Sequence, residues 1–307
     1  QRWRFGSLIM KNFNLVKFAA PLTFALFSLS HNAHAAPANY TMALNVCTGG
    51  AAVAYSGSAP YCRMTPGKYE VTVYEMGFCT SHPFDDGAES AGAAAMDKST
   101  CTTIFTNTAG SRIDIAATIG ATSKLEGTAT RPADGTYRYP YMVMSNQFTV
   151  SGSMLGVPGT AQASTTYYTD STGTPNTSAA EDYSYTLNNL GPGTGGSAGC
   201  YSGSIDQTGT AGTIDAYLTN NALTRRDSTD TQSSGGVTSC AGATRLIGVM
   251  DLTTAFTVTP NTSQVLFTFD VTDQGLRVMA DTSGSTGAVI AIESGPFSGN
   301  FSVVNID

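Results

Sequence analysis

Histidine and tryptophan are nearly missing from this chain. Of its three histidines only His82 lies beyond residue 34, and the one tryptophan is Trp3. A lone histidine is too few for a multi-histidine metal centre, and it leaves a serine or cysteine nucleophile short of a general base. Charge is scarce as well. Only 12% of residues are Asp, Glu, Lys or Arg, with 15 basic against 22 acidic, so there is no electrostatic footprint for nucleic acid or an anionic membrane. No apolar run reaches the roughly 20 residues that a spanning helix needs. Helical periodicity with caps is absent, and so is a repeat period of the kind solenoids show.

What is present begins with an address. From Met10, Lys11 and Lys17 form a positive segment, Phe18 to Leu29 a short apolar one, and Ala33-His34-Ala35 a small-residue cleavage signal. That order predicts a secretory signal peptide cut after Ala35, since cutting one residue later would place Pro37 just beyond the scissile bond. Gln1 to Ile9 read as an over-extended start. Loss of residues 1–35 removes Arg2, Arg4, Lys11 and Lys17, taking the bases from 15 to 11 against 22 acids, a net charge of −11. The expected division is therefore 1–35 start extension plus signal, 36–155 an N-terminal β region, 156–200 a low-complexity loop or linker, and 201–307 a C-terminal β region. The two β regions are long enough to form one domain or two.

All six cysteines, Cys47, Cys62, Cys79, Cys101, Cys200 and Cys240, follow the signal. In an exported protein an even number implies disulfides. Pairing of sequence neighbours is expected: Cys47 with Cys62, Cys79 with Cys101, and Cys200 with Cys240. Each bridge would contribute on the order of 3 kcal/mol by restricting the unfolded chain. Zinc is disfavoured because no C-x-x-C spacing occurs and histidine is lacking.

The most legible stretch is Lys68 to Ile119. Lys68 to Cys79 is dense in β-branched and aromatic residues, and alternation puts Tyr69, Val71 and Val73 on one face and Tyr74, Met76 and Phe78 on the other. Apolar groups on both faces predict a sheet covered on both sides. Cys101 to Ile119 reads as a hairpin turning at Asn107–Gly110, with Ile113, Ile115, Ala117 and Ile119 facing a core. Tyr137 to Val150 reads as one long strand with Tyr137, Tyr139, Tyr141 and Val143 on one face. Pro140 lacks a ladder donor, so that strand belongs at a sheet edge or a bulge. Val265, Phe267, Phe269 and Val271 then open a C-terminal meander. Many short strands between Gly, Ser, Asn and Pro turns predict an all-β protein, an antiparallel sandwich or barrel-like set of sheets with long Gly/Ser/Thr-rich loops, stapled by disulfides.

Several patterns bear on chemistry. Gly195-Gly-Ser-Ala-Gly199 matches a serine-nucleophile elbow, but low-complexity sequence precedes it and Cys200 follows, where a strand and a helix are required. Gly191 to Gly196 likewise lacks the strand and helix of a phosphate cradle. Asp85, Asp86 and Glu89 are weak Ca²⁺ candidates without EF-hand spacing. Asn39, Asn176, Asn261 and Asn300 open N-x-Ser/Thr patterns, as chance alone would supply in so Asn- and Thr-rich a chain. Tyr137, Tyr139 and Tyr141 would make a sugar-stacking strip if exposed and core packing if not.

These readings converge on a secreted or cell-surface structural or adhesive protein, with no cofactor expected and no evident catalytic machinery. Its partners would be polysaccharide or other surface proteins. The alternatives are a carbohydrate-binding protein using the tyrosine strip and an extracellular hydrolase working through carboxylates, including Asp85 or Asp86.

Overall fold

In a computed structural model of the chain the described residues are 4–5, 45–47, 52, 61–84, 94–119, 122–188, 190, 203–206, 212–226, 230–234, 237–281, 286–295 and 297–305. The strands that build the body are, in chain order, β1 (Tyr61–Met64), β2 (Lys68–Cys79), β3 (Cys101–Asp114), β4 (Gly135–Tyr137), β5 (Tyr139–Ser145), β6 (Gln147–Ser151), β7 (Ser153–Leu155), β8 (Thr166–Tyr168) and β9 (Tyr183–Thr186). There follow β10 (Gly203–Asp206), β11 (Gly212–Thr219), β12 (Arg245–Leu252), β13 (Phe256–Val258), β14 (Thr262–Asp270), β15 (Leu276–Ala280), β16 (Val289–Ser294) and β17 (Ser298–Asn305). The protein is all-β. Among the described residues there is no α-helix and no closed barrel.

A nine-stranded sheet dominates. Seven strands run β9-β6-β2-β5-β12-β11-β10, while β3 pairs along β2 and carries Thr128–Ala129 on its far side. Strands from before and after residue 200 lie side by side in it, four and then three, and meet where β5 pairs with β12 over Tyr141–Ser145. One side chain makes the joint between β5 and β6. Asn146 is buried and donates to the carbonyls of Leu187 and Ala243, at 3.0 and 3.2 Å, so β2 can pair with β6 along its first residues and with β5 along its last.

The inner face of this sheet packs on two four-stranded sheets. One is Asn45–Val46 with β1, β15 and β16; the other holds β17 and β14 with the short segments at residues 4–5 and 122–123. Tyr69, Val73 and Phe78 of β2 join Phe267, Val278 and Phe301 in one apolar cluster. Phe78 is its hub, with ring centroids of Tyr137, Phe256, Phe267 and Phe301 all within 6.4 Å.

Several sequence expectations change here. Cys101–Asp114 is one strand, because residues on both sides of Asn107–Gly110 pair with the same partner, β2; those four residues bulge out between Thr106 and Ser111. A matching bulge at Tyr74 reverses the alternation of β2. Tyr69, Val71, Val73, Met76 and Phe78 therefore share the inner core, and Tyr74 faces outward. Ile113 and Ile115 are buried, but the chain then enters a 3₁₀ turn at Ala116–Thr118, which leaves Ala117 and Ile119 exposed.

The remaining corrections concern the middle and the end of the chain. Pro140 lies in a central strand, tolerated because the ladder between β5 and β12 stops at Tyr141. The stretch from residue 156 is not all linker: β8 pairs with β7, and β9 extends the large sheet. The C-terminal strands do not form one meander either. β14 pairs with β17, whereas β15 and β16 join β1.

Truncating the aromatic hub tests this architecture. Phe78→Ala is expected to cost about 3–5 kcal/mol, the usual range for emptying a buried phenylalanine site. Urea unfolding followed by tyrosine fluorescence measures it, and a loss below about 1 kcal/mol would show that the hub is not packed as described.

Candidate functional site

The outer face of the nine-stranded sheet gathers Glu75, Lys98, Tyr141, His82 and Asp215. Tyr139, Tyr141 and Val143 of β5, Tyr217 of β11 and Ile247 and Val249 of β12 form a small apolar floor. Over it lie residues 80–84 and 94–100, the described arms of the loop that leaves the sheet at Cys79 and returns at Cys101, the two cysteines being joined in a disulfide. Main-chain bonds hold the loop down: Asp97 N–H donates to Pro83 (2.8 Å), Met96 to Leu223 (3.0 Å) and Arg225 to Ala94 (2.8 Å). Phe84 lays its ring 4.4 Å from that of Tyr217.

His82 sits beneath this loop. Its Nδ1 accepts the Phe84 backbone N–H at 3.2 Å, so in the neutral ring the proton is on Nε2, which faces Asp215 Oδ2 at 3.4 Å. Tyr139 and Tyr217 stand edge-on to the imidazole, with centroids at 5.4 and 6.0 Å. Only 7% of the histidine side chain reaches solvent.

Glu75 is the second centre. Tyr141 O–H donates to its Oε1 at 2.6 Å, and Lys98 Nζ binds both carboxylate oxygens at 2.5 and 2.7 Å. Thr103 completes the group through the Tyr141 hydroxyl at 3.2 Å. Burial, and then the bond to Glu75, push the Tyr141 phenol well above its ordinary value. Nearby, Arg138 Nε donates to Asp251 at 2.8 Å, and the Arg245 guanidinium stacks 3.7 Å over the Tyr74 ring.

This arrangement fastens a loop. Lys98 reaches back from the loop to bind Glu75 on β2, and on the other arm His82 packs against Tyr139 of β5 and Tyr217 of β11, so each loop arm is held against the sheet. Glu75 accepts from a phenol and an ammonium together.

The tyrosine strip does not form as an exposed face. The chain breaks between β4 and β5 at Arg138, which sends Tyr137 to the inner core beside Phe78 and Phe256 and leaves Tyr139 and Tyr141 on the outer side. Tyr137 and Tyr141 are 5% and 1% exposed. Asp85, Asp86 and Glu89, the Gly191–Gly199 patterns and Cys200 lie outside the described residues. Cys47 is bonded to Cys62, and Cys240 is also in a disulfide. Among the described residues no three His, Cys, Asp or Glu side chains gather as metal ligands.

Sequence reasoning missed both Glu75–Lys98–Tyr141 and His82–Asp215. Their partners come from different strands, and nothing local marks them. One signal was readable: a lone histidine and a lysine inside a loop closed by Cys79 and Cys101 must fold back near that bridge.

Tyr141→Phe removes one of the bonds to Glu75 and is expected to cost about 1–2 kcal/mol. The raised phenol also sets a pH dependence. Its contribution is complete below the free tyrosine value of about 10 and is lost as pH climbs above it, because the unfolded chain ionises first. Thermal melts from pH 8 to 11 should therefore fall less steeply for Tyr141→Phe than for the wild type. Parallel curves would count against the Glu75 contact. No family model, characterised protein or solved structure matches this chain, so a functional reading has to come from its own residues.

Proposed function

We propose that this chain is a secreted or cell-surface structural or adhesive β protein. The observation that carries the reading is the use to which its reactive side chains are put. Among the described residues Lys98 fastens the Cys79–Cys101 loop to Glu75, which also accepts from Tyr141, and His82 packs against Tyr139 and Tyr217 beside Asp215. The disulfides suit an oxidising compartment outside the cytoplasm. No helix among the described residues is long and apolar enough to cross a membrane. The Thr- and Ser-rich, sparsely charged sequence suits a polar exterior for wet, weakly selective contact with polysaccharide or with other surface proteins.

The carboxylate-hydrolase alternative gains no observation from the described residues, and the burial of Tyr137 and Tyr141 removes the aromatic platform on which sugar binding by the strip relied.

Cells expressing the chain from Met10 provide the test. The expected product lies at the surface or in the medium, has a mass beginning at Ala36, gains six hydrogens on reduction, and makes coated beads adhere to cells or polysaccharide. A cytosolic, uncleaved product with six free thiols would overturn the proposal, as would glycan hydrolysis that disappears in Glu75→Gln.

A further inference from the structure

Three strands place two arginines side by side. In the antiparallel pairing of β1 with β15, Arg63 stands directly opposite Arg277, and in that of β15 with β16, Glu293 stands opposite Arg277 on the other side. The preceding or following residues in the same three strands, Cys62, Val278 and Ile292, are all buried on the inner face. Arg63, Arg277 and Glu293 therefore form a row on the outer face, since strand side chains alternate. Directly opposed side chains on one face have their Cβ atoms about 4.5–5.5 Å apart, where like charges destabilise the pair.

Glu293 answers only half of this row. It forms an ion pair with Arg277. Arg63 has no hydrogen bond or ion pair to its guanidinium among the described residues, and its Nε is shielded from water without an acceptor. A guanidinium stays charged at every accessible pH, and a buried donor left unmet is costly. In a chain with 15 bases and a net charge of −7, two directly opposed arginines are not a by-product of general basicity.

We propose that Arg63 and Arg277 form a binding site for an oxyanion of the carboxylate or sulfate class. The two oxygens of a carboxylate, or two of the four of a tetrahedral sulfate, meet guanidinium donors in bidentate fashion, which a spherical halide cannot do. The anion supplies the acceptor Arg63 lacks and relieves the repulsion across β1 and β15. Acidic polysaccharides carry such groups in repeating array, so an outward-facing site of this kind suits multivalent attachment. The site itself rests on the two guanidiniums; a polysaccharide as its source rests also on the function proposed above.

Thermal melts of the full chain in low millimolar sodium sulfate, against sodium chloride of equal ionic strength, test the site. The wild type should show a saturable rise in Tm of about 2–4 °C at ten times Kd. Arg63→Met should abolish the rise while remaining at least as stable as the wild type in anion-free buffer, because an apolar chain of similar length replaces an uncompensated charge. Glu293→Gln releases Arg277 and should tighten sulfate binding about tenfold, which gives a second readout that keeps Arg63 intact. A rise of equal size in wild type and Arg63→Met, or none in the wild type, overturns the proposal. Polygalacturonate against neutral dextran distinguishes the source: binding of the acidic polymer alone, lost in Arg63→Met, supports a polysaccharide. Sulfate protection without polymer binding upholds the site and overturns that occupant.

Discussion

The pairing of β2 with β3 is the constraint on which the rest depends. It is the longest antiparallel contact in the molecule, running from Glu70 opposite Asp114 to Cys79 opposite Cys101, and its end is closed covalently. A strand of twelve residues can hold β6 and β5 in succession only if something fixes its register over its whole length. The bridge does so at one end, and the paired bulges at Tyr74 and Asn107–Gly110 allow both faces to be covered. Without the bulge at Tyr74, strict alternation would turn Met76 and Phe78 outward and empty the core of its aromatic hub. The bridge contributes on the order of 3 kcal/mol through the unfolded state, but its larger effect is geometric, since it returns the loop to the face that His82 and Lys98 then fasten.

Fold class was legible because composition decides it. Dense Thr, Val, Tyr and Gly with turn residues at short intervals leaves little alternative to antiparallel sheets, and the expected coverage of Lys68–Cys79 on both faces is what the inner and outer clusters show. The pairings Cys47–Cys62 and Cys79–Cys101 were readable from proximity in sequence. Which strands lie together was not. Asp273 and Gly275, both at positive φ, look like the tip of a hairpin, yet the strands they join belong to different sheets. A turn fixes local direction, and the choice of sheet depends on distant partners such as β1 and β17.

The tyrosines show the same limit at a finer scale. Counting by twos from Tyr137 to Val143 assumes an unbroken strand, and one residue of interruption at Arg138 exchanges inside for outside. Register is a global property, set here by Phe78 and Gly77 across from Pro140 and Tyr141. Gly77 shows how tight that fit is, for a Cβ there would come within 2.5 Å of the Tyr141 ring. The aromatic cluster therefore depends on a glycine that sequence alone presents as a simple spacer.

Charge in this protein is used sparingly, and among the described residues several charges meet in pairs. Glu70 meets Arg112, Lys68 meets Asp182, Arg131 meets Asp134, Arg138 meets Asp251, and Glu75 meets Lys98. Most of these pairs are at least partly exposed, where each adds little to stability. Apart from the local pair Arg131–Asp134, their value lies in register, because each links segments distant in sequence. A guanidinium set against another guanidinium departs from that pattern. It weakens the seam between β1 and β15 in the absence of an anion and strengthens it in the presence of one. If the outer face of that sheet meets an acidic polymer, attachment and folding stability become linked, and the domain is most stable where it is anchored.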